Sequence, residues 1–251
     1  IFVHKDFSIR NIFLLSLSFY LIALIKVYII LAFVPALSLW LLLTYSKKIQ
    51  SPAIRWVMNL VFIGITIGGF LYFTQSFAKE LNSYALDNLI KTAEKTKGWI
   101  AYVSERDQGS LYDIGQVDPT FTGIVSKFPA AVTVTLYRPF LWEVKNPLML
   151  LSALESLTFL ILTLVVFFKG GLIGTFKKIF KDPNLLFFFS YSLIFAFAVG
   201  ISTGNFGTLS RYKIPCMPFF AALLLILYYQ TKPQTVIAKR KNEKRLVRHL
   251  A

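Results

Sequence analysis

Leu148-Met-Leu-Leu-Ser-Ala-Leu-Glu-Ser-Leu-Thr-Phe-Leu-Ile-Leu-Thr-Leu-Val-Val-Phe-Phe168 decides the fold of this chain. Its only charge is Glu155. A bilayer core needs about 20 apolar residues per helical crossing, because backbone hydrogen bonds must close internally where water is absent. Three more runs have comparable length and are bounded by charge, Pro or Gly: residues 56–74, 185–202 and 214–229. The run 11–45 is too long for one crossing and is interrupted only by Lys26. It reads as a tight hairpin with Lys26 and Tyr28 snorkelling at the far interface and Pro35 kinking the returning helix. One steep helix preceded by an interfacial helix is the rival.

Composition agrees. The chain has 251 residues, 56% hydrophobic and 16% charged, with a mean hydropathy of +0.62. A soluble domain carries nearer 25% charge to keep its surface wet. The expected fold is therefore all-α: a polytopic membrane protein with about six transmembrane helices. Three crossings fall in residues 1–74 and three in 146–231, an extracytoplasmic helical loop spans 75–145, and a basic tail spans 232–251. The first residue is Ile1 and no leader pattern precedes a mature start, so further helices are expected upstream.

Charge placement orients this layout. With the N-terminus inside, 16 Lys and Arg fall on the inner side and 11 on the outer. The long outer loop also carries eight acids, so it is nearly neutral while the inner side is strongly basic. The formal net charge of +15 is thus explained by lipid, with residues 239–248 against an anionic inner leaflet or simply solvated, and no nucleic-acid partner is implied. Both termini are therefore expected to be cytoplasmic.

The outer loop reads as a surface helix over residues 77–102, ended by the turn chemistry of Arg106-Asp107-Gln108-Gly109. A second helix is expected to start at Asp118, with Pro119 in its first turn and Pro129 breaking or kinking it. Residues 128–143 mix apolar residues with two prolines and the Arg138/Glu143 pair. They are expected to graze the outer interface, with Tyr137, Phe140 and Trp142 as an aromatic belt.

Three passages carry a resemblance: Ile25-Lys-Val-Tyr-Ile-Ile-Leu-Ala-Phe-Val-Pro-Ala-Leu37, Tyr137-Arg-Pro-Phe-Leu-Trp-Glu143 and Gly204-Asn-Phe-Gly-Thr-Leu-Ser-Arg-Tyr-Lys-Ile-Pro215. Together they resemble polytopic proteins of bacterial surface-polysaccharide loci, similar to O-antigen polymerases and lipid-linked glycosyltransferases. The resemblance implies a bacterial inner-membrane location and glycosyl transfer from a polyprenyl-pyrophosphate donor on the outer face of that membrane, with other polysaccharide-assembly proteins and membrane lipids as partners. Arginines would neutralise the pyrophosphate, a role that Arg138 and Arg211 match by residue type. The acidic pair that metal-dependent relatives need in a first outer loop is missing.

The candidate substrate-binding residues are therefore Arg138, Arg211, Lys213 and Glu155, and the candidate catalytic carboxylates are Glu143 and Asp107. Each has a plainer reading. Arg211 and Lys213 would anchor lipid phosphate, Arg138 and Glu143 would form an interfacial ion pair, and Arg106 with Asp107 would be a solvated turn. Glu155 would pair with a neighbouring helix, since a buried charge inside a span costs at least about 2.5 kcal/mol. No cofactor or metal is expected: His4 and His249 lie near the two ends, and Cys216 is a lone packing residue. A transporter of a lipid-linked saccharide and a non-catalytic scaffold are the alternatives to the transferase.

Overall fold

The computed structural model describes residues 8–46, 48–58, 60–61, 64, 98, 102, 110–115 and 121–231. Outside the described residues fall Asp107, the helix expected over 77–102 except for two isolated positions, the start expected at Asp118, most of the 56–74 run and the basic tail. The described part of the chain is helical. Its elements are α1 (Ile9–Ser46), α2 (Phe121–Ser126), α3 (Phe128–Tyr137), a 3-10 turn at Leu141–Glu143, α4 (Pro147–Gly170), α5 (Leu172–Lys181), α6 (Pro183–Ser202), α7 (Phe206–Tyr212) and α8 (Met217–Gln230).

Among the described residues, three helical segments are long and apolar enough to cross a membrane: Ile29–Ser46, Pro147–Gly170 and Pro183–Ser202. A fourth results if α7 and α8, bent by 71°, are taken as one broken span. The starts of α4 and α6 follow from local chemistry. Asn146 accepts from the Met149 N–H and Asp182 accepts from the Asn184 N–H, each ahead of a proline in the first turn. A side-chain cap satisfies an amide that has no partner within the helix, and proline there has no amide to satisfy.

Within α1 the one non-helical residue is Lys26, at φ −156° and ψ 88°. Phe19 and Phe33 meet edge to face across it, with ring centroids 5.9 Å apart. In a straight helix those residues would stand roughly 21 Å apart, so α1 is sharply bent at Lys26. Of its two arms, the returning one, Ile29–Ser46, is long enough to cross a membrane, whereas Ile9–Leu24 is a shorter apolar helix. Pro35 lies within the returning arm, which keeps helical backbone angles around it.

The returning arm of α1 packs along α6, and α8 packs against both α4 and α6. Trp40 donates to the Asn184 side chain at 2.8 Å, and Phe33 touches Phe187 and Tyr191. Tyr191 lies at the centre of this aromatic core, with the Phe219 ring 4.5 Å away. The bundle therefore has two ends. One holds Asn146, Thr203 and the Lys26 turn; the other holds Ser46, α5 and Gln230.

Residues 128–143 differ from expectation. The helix break falls at Lys127, and Pro129 sits in the first turn of a new helix, where its missing amide is harmless. That helix, α3, buries Ala131, Val134, Thr135 and Leu136 against α6 and α4, while Pro129, Ala130 and Thr133 stay exposed. Small residues allow the close approach. A Cβ added at Gly200 would stand 2.8 Å from Ala131 Cα, and Thr135 Oγ1 donates to the Ala196 carbonyl at 2.8 Å. Periodicity alone does not reveal this, because a ten-residue apolar helix is too short to register as a span.

Candidate functional site

The end of α3 places the site. Ser156, in the third turn of α4, donates to the Arg138 carbonyl at 3.0 Å, and Tyr137 reaches Thr163 at 3.4 Å. Arg138 is thus set beside α4 roughly 14 Å along from that helix's first residue. The chain then turns through the cis Arg138–Pro139 bond and returns to the start of α4.

Arg138 is clamped by Glu143. Its Nε stands 3.1 Å from both carboxylate oxygens, and Nη2 makes a further short bond to Oε1. The Phe140 N–H adds a bond to Oε2 at 2.8 Å. On its other side the guanidinium lies 5.3 Å from the Phe206 ring centre and 6.0 Å from that of Tyr112. Such ring faces attract a cation. Burial pushes the Glu143 carboxyl up, but the Arg138 bonds and charge and the Phe140 amide outweigh it, and the net shift is below the usual carboxylate value.

A stability prediction follows with a definite sign. A carboxyl whose folded pKa is depressed contributes fully above its unfolded value, about 4.3, and loses that contribution as pH falls through the folded value. The melting temperature of the detergent-solubilised chain should hold from neutral pH to about 5 and drop further down. Glu143→Gln should lower it at neutral pH and flatten the acid limb. An unchanged acid limb would mean that other groups carry it.

Tyr112 ties the segment 110–115 to the same end. Its hydroxyl bonds the Thr203 carbonyl at 2.7 Å and meets the Thr203 hydroxyl, while the Leu111–Asn205 bridge aligns the two backbones. Burial drives the Tyr112 phenol well above its ordinary pKa, opposed by the Thr203 hydrogen bond and the Arg138 charge. It therefore acts as a neutral hydrogen-bonding group.

The passage 204–215 is not a plain loop. Asn205 caps α7 by accepting from the Gly207 and Thr208 amides. The bend between α7 and α8 follows, where Pro215 offers no amide. Lys213 sits at this bend, and its side chain is 1% exposed. Its Nζ donates to Ser156 Oγ at 3.1 Å and stands 3.6 Å from a Glu155 oxygen, on a carboxylate that is 42% exposed. Ser156 therefore bonds both cationic residues, giving its proton to the Arg138 carbonyl and receiving one from Lys213.

Of the residues singled out from sequence, Arg138 with Glu143 and Lys213 with Glu155 form two ion pairs, linked through the bonds of Ser156 to the Arg138 carbonyl and to Lys213 Nζ. Arg211 does not join them: it is exposed, and its Nε turns back to the Gly207 carbonyl at 3.2 Å. Lys26 lies near this end instead, 4.5 Å from the centre of the Tyr212 ring.

Sequence reasoning passed over Ser156, Tyr112 and Thr203. A signal for the first was present. Ser152, Ser156 and Thr163 recur at four and seven residues, one narrow polar stripe on an apolar helix. In the fold they face Ser210, Lys213 and Tyr137, respectively. Tyr112 carried no such pattern, since its partner lies 91 residues away.

Chemically, the site offers a buried ammonium beside a half-exposed carboxylate, and a guanidinium held rigid by a second carboxylate. Among the described residues, no group of three His, Cys, Asp or Glu is placed to hold a metal ion. Compared with protein families, curated proteins and solved structures, the chain matches none.

Proposed function

We propose that this chain is a bacterial inner-membrane protein of surface-polysaccharide assembly, taking a polyprenyl-pyrophosphate-linked saccharide at the Lys213 end of the bundle and transferring its glycan. The same reading takes six crossings, both termini in the cytoplasm, residues 75–145 on the outer face and α3 as a half-span dipping in from that face. The observation that carries it is Lys213: a cation 1% exposed, at a break in a span, whose carboxylate partner lies on the open side. A buried ammonium in an apolar bundle is costly unless it answers an anion, and one partly solvated carboxylate answers it only in part.

In this reading Lys213 and Arg138 neutralise the pyrophosphate. An acceptor hydroxyl attacks the sugar's anomeric carbon, the carbon–oxygen bond to the pyrophosphate breaks, and polyprenyl pyrophosphate leaves with the electron pair. The proton passes to a carboxylate. Glu155 suits that task by its exposure, whereas Glu143 is occupied in holding Arg138. Asp107 and Arg211 would act at most at the rim.

The test is a reconstituted assay. The purified chain in proteoliposomes, supplied with a polyprenyl-pyrophosphate-linked oligosaccharide, should yield lipid-linked products with added sugar units. Donor recovered chemically unaltered would remove the transferase assignment. One observation favours a second reading: the 71° break between α7 and α8 is the kind of discontinuity that transporters place at substrate sites. The same vesicles separate the two, because a transporter moves labelled donor between leaflets without forming a glycosidic bond.

A further inference from the structure

At the opposite end of the bundle, the sequence from Leu172 to Lys181 forms a short helix of very different character from the spans it joins. It is strongly two-faced, with Thr175 and Ile179 buried against the bundle. Leu172, Ile173 and Phe180 are 63%, 74% and 59% exposed. The chain enters α5 through Gly171, whose φ of +67° is a conformation that glycine adopts without strain. α5 connects α4 to α6 and packs on both, and Lys178 donates to the Gln230 carbonyl at the end of α8. A helix that bridges two spans while touching the end of a third lies across the bundle end.

The outward face of this helix forms an open groove of about 530 Å³, lined by its own Leu172, Ile173, Phe176, Lys177, Phe180 and Lys181. Its floor is apolar and both of its charges are lysines. On the helical wheel Leu172, Ile173, Phe176 and Phe180 form one arc, and Lys177 and Lys181 lie together along its edge, four residues apart. Lys178 points elsewhere. The residue of α4 that adjoins this face is also apolar: Phe167 meets Phe176 with ring centroids 5.8 Å apart. An apolar floor with cations on one border matches a molecule that has an acyl chain and a phosphate, at the depth where such molecules pack around helix ends.

We infer that α5 forms a binding site for an anionic phospholipid, with the phosphate between Lys177 and Lys181 and an acyl chain along Ile173, Phe176 and Phe180. A soluble anion leaves the apolar floor unused. A second copy of the chain would have to bring its own negative charge to the two lysines. The site is remote from Lys213 and does not rest on the transferase reading.

The full chain reconstituted in nanodiscs of mixed phosphatidylglycerol and phosphatidylcholine, then released for native mass spectrometry, should retain phosphatidylglycerol preferentially. The double variant K177Q/K181Q should weaken that retention by about tenfold, since each lysine at a membrane surface attracts anionic lipid appreciably. K178Q should retain it as the unaltered chain does. Ile173→Ser, at an exposed position where folding is not at stake, should weaken retention through the lost chain contact. Equal retention of the two lipids would overturn the inference, as would a loss with K178Q matching that of the double variant. Displacement by inorganic phosphate would reassign the lysines to a soluble anion. Lipid-free dimers abolished by Ile173→Ser would reassign the groove to a second copy.

Discussion

Lys213→Met is expected to abolish lipid-linked substrate turnover while leaving the melting temperature unchanged or higher. The thioether chain fills the volume of the lysine stem and carries no charge. The lysine's desolvation cost disappears with its charge, and Glu155, the partner left behind, is 42% exposed on the open side, where water can answer it. Ser156 would still donate to the Arg138 carbonyl, so the α3–α4 contact survives. A cation retained for its fold would give the opposite result: a clear drop in melting temperature, with activity falling only in proportion to folded protein. Product formation in proteoliposomes, set beside thermal unfolding of the same preparation, decides between the two. Glu155→Gln supplies the companion measurement. If Glu155 serves only to offset Lys213, the lost partner destabilises the fold; if it takes the acceptor's proton, turnover falls and donor binding persists.

The largest effect on folding is expected at Gly200. A side chain there meets the backbone of Ala131, with the added Cβ 2.7 Å from the carbonyl carbon and 2.8 Å from Cα. Backbone cannot swing aside as a side-chain tip can, so α3 must move off α6. That motion would also strain the Thr135 bond to the Ala196 carbonyl and shift Arg138, three residues beyond Thr135. Gly200→Val should therefore cost about 3 kcal/mol or more, at the upper end of overpacking penalties. In practice this means little monodisperse protein in detergent and rapid cleavage of what remains near residue 127. Gly174→Ala is the control. It adds the same first carbon in open space within a helix and should be neutral or stabilising by about 1 kcal/mol. Equal behaviour of the two variants would show that the α3–α6 contact does not hold the fold.

The long spans were legible because length and apolarity are local properties. The 148–168 run became α4, and 185–202 became α6, each within two residues at every boundary, because Asn146 and Asp182 cap them and Pro147 and Pro183 open them. Lys26 was legible as a turn for a similar reason: it is the one charge in a run too long to cross once. The 214–229 run was read as one span starting at Ile214, whereas the helix begins at Met217 and the residues before it form the bend. Prolines at 215 and 218 were the local hint, but only the packing of α7 against α4 and α6 shows that the chain stays helical on both sides of that bend.

The sequence by itself determined that the chain must bury about twenty-residue apolar helices away from water, and it named four of the charged residues that gather at one end. Only the tertiary structure decided that two ion pairs are linked through Ser156, that Arg211 turns away, and that α3 packs one face against α4 and α6. The reason is physical. Crossing length and capping depend on neighbours within a few residues, whereas the Lys213–Ser156, Thr135–Ala196 and Tyr112–Thr203 bonds join positions 57, 61 and 91 residues apart, and no local pattern records which helix a side chain will meet.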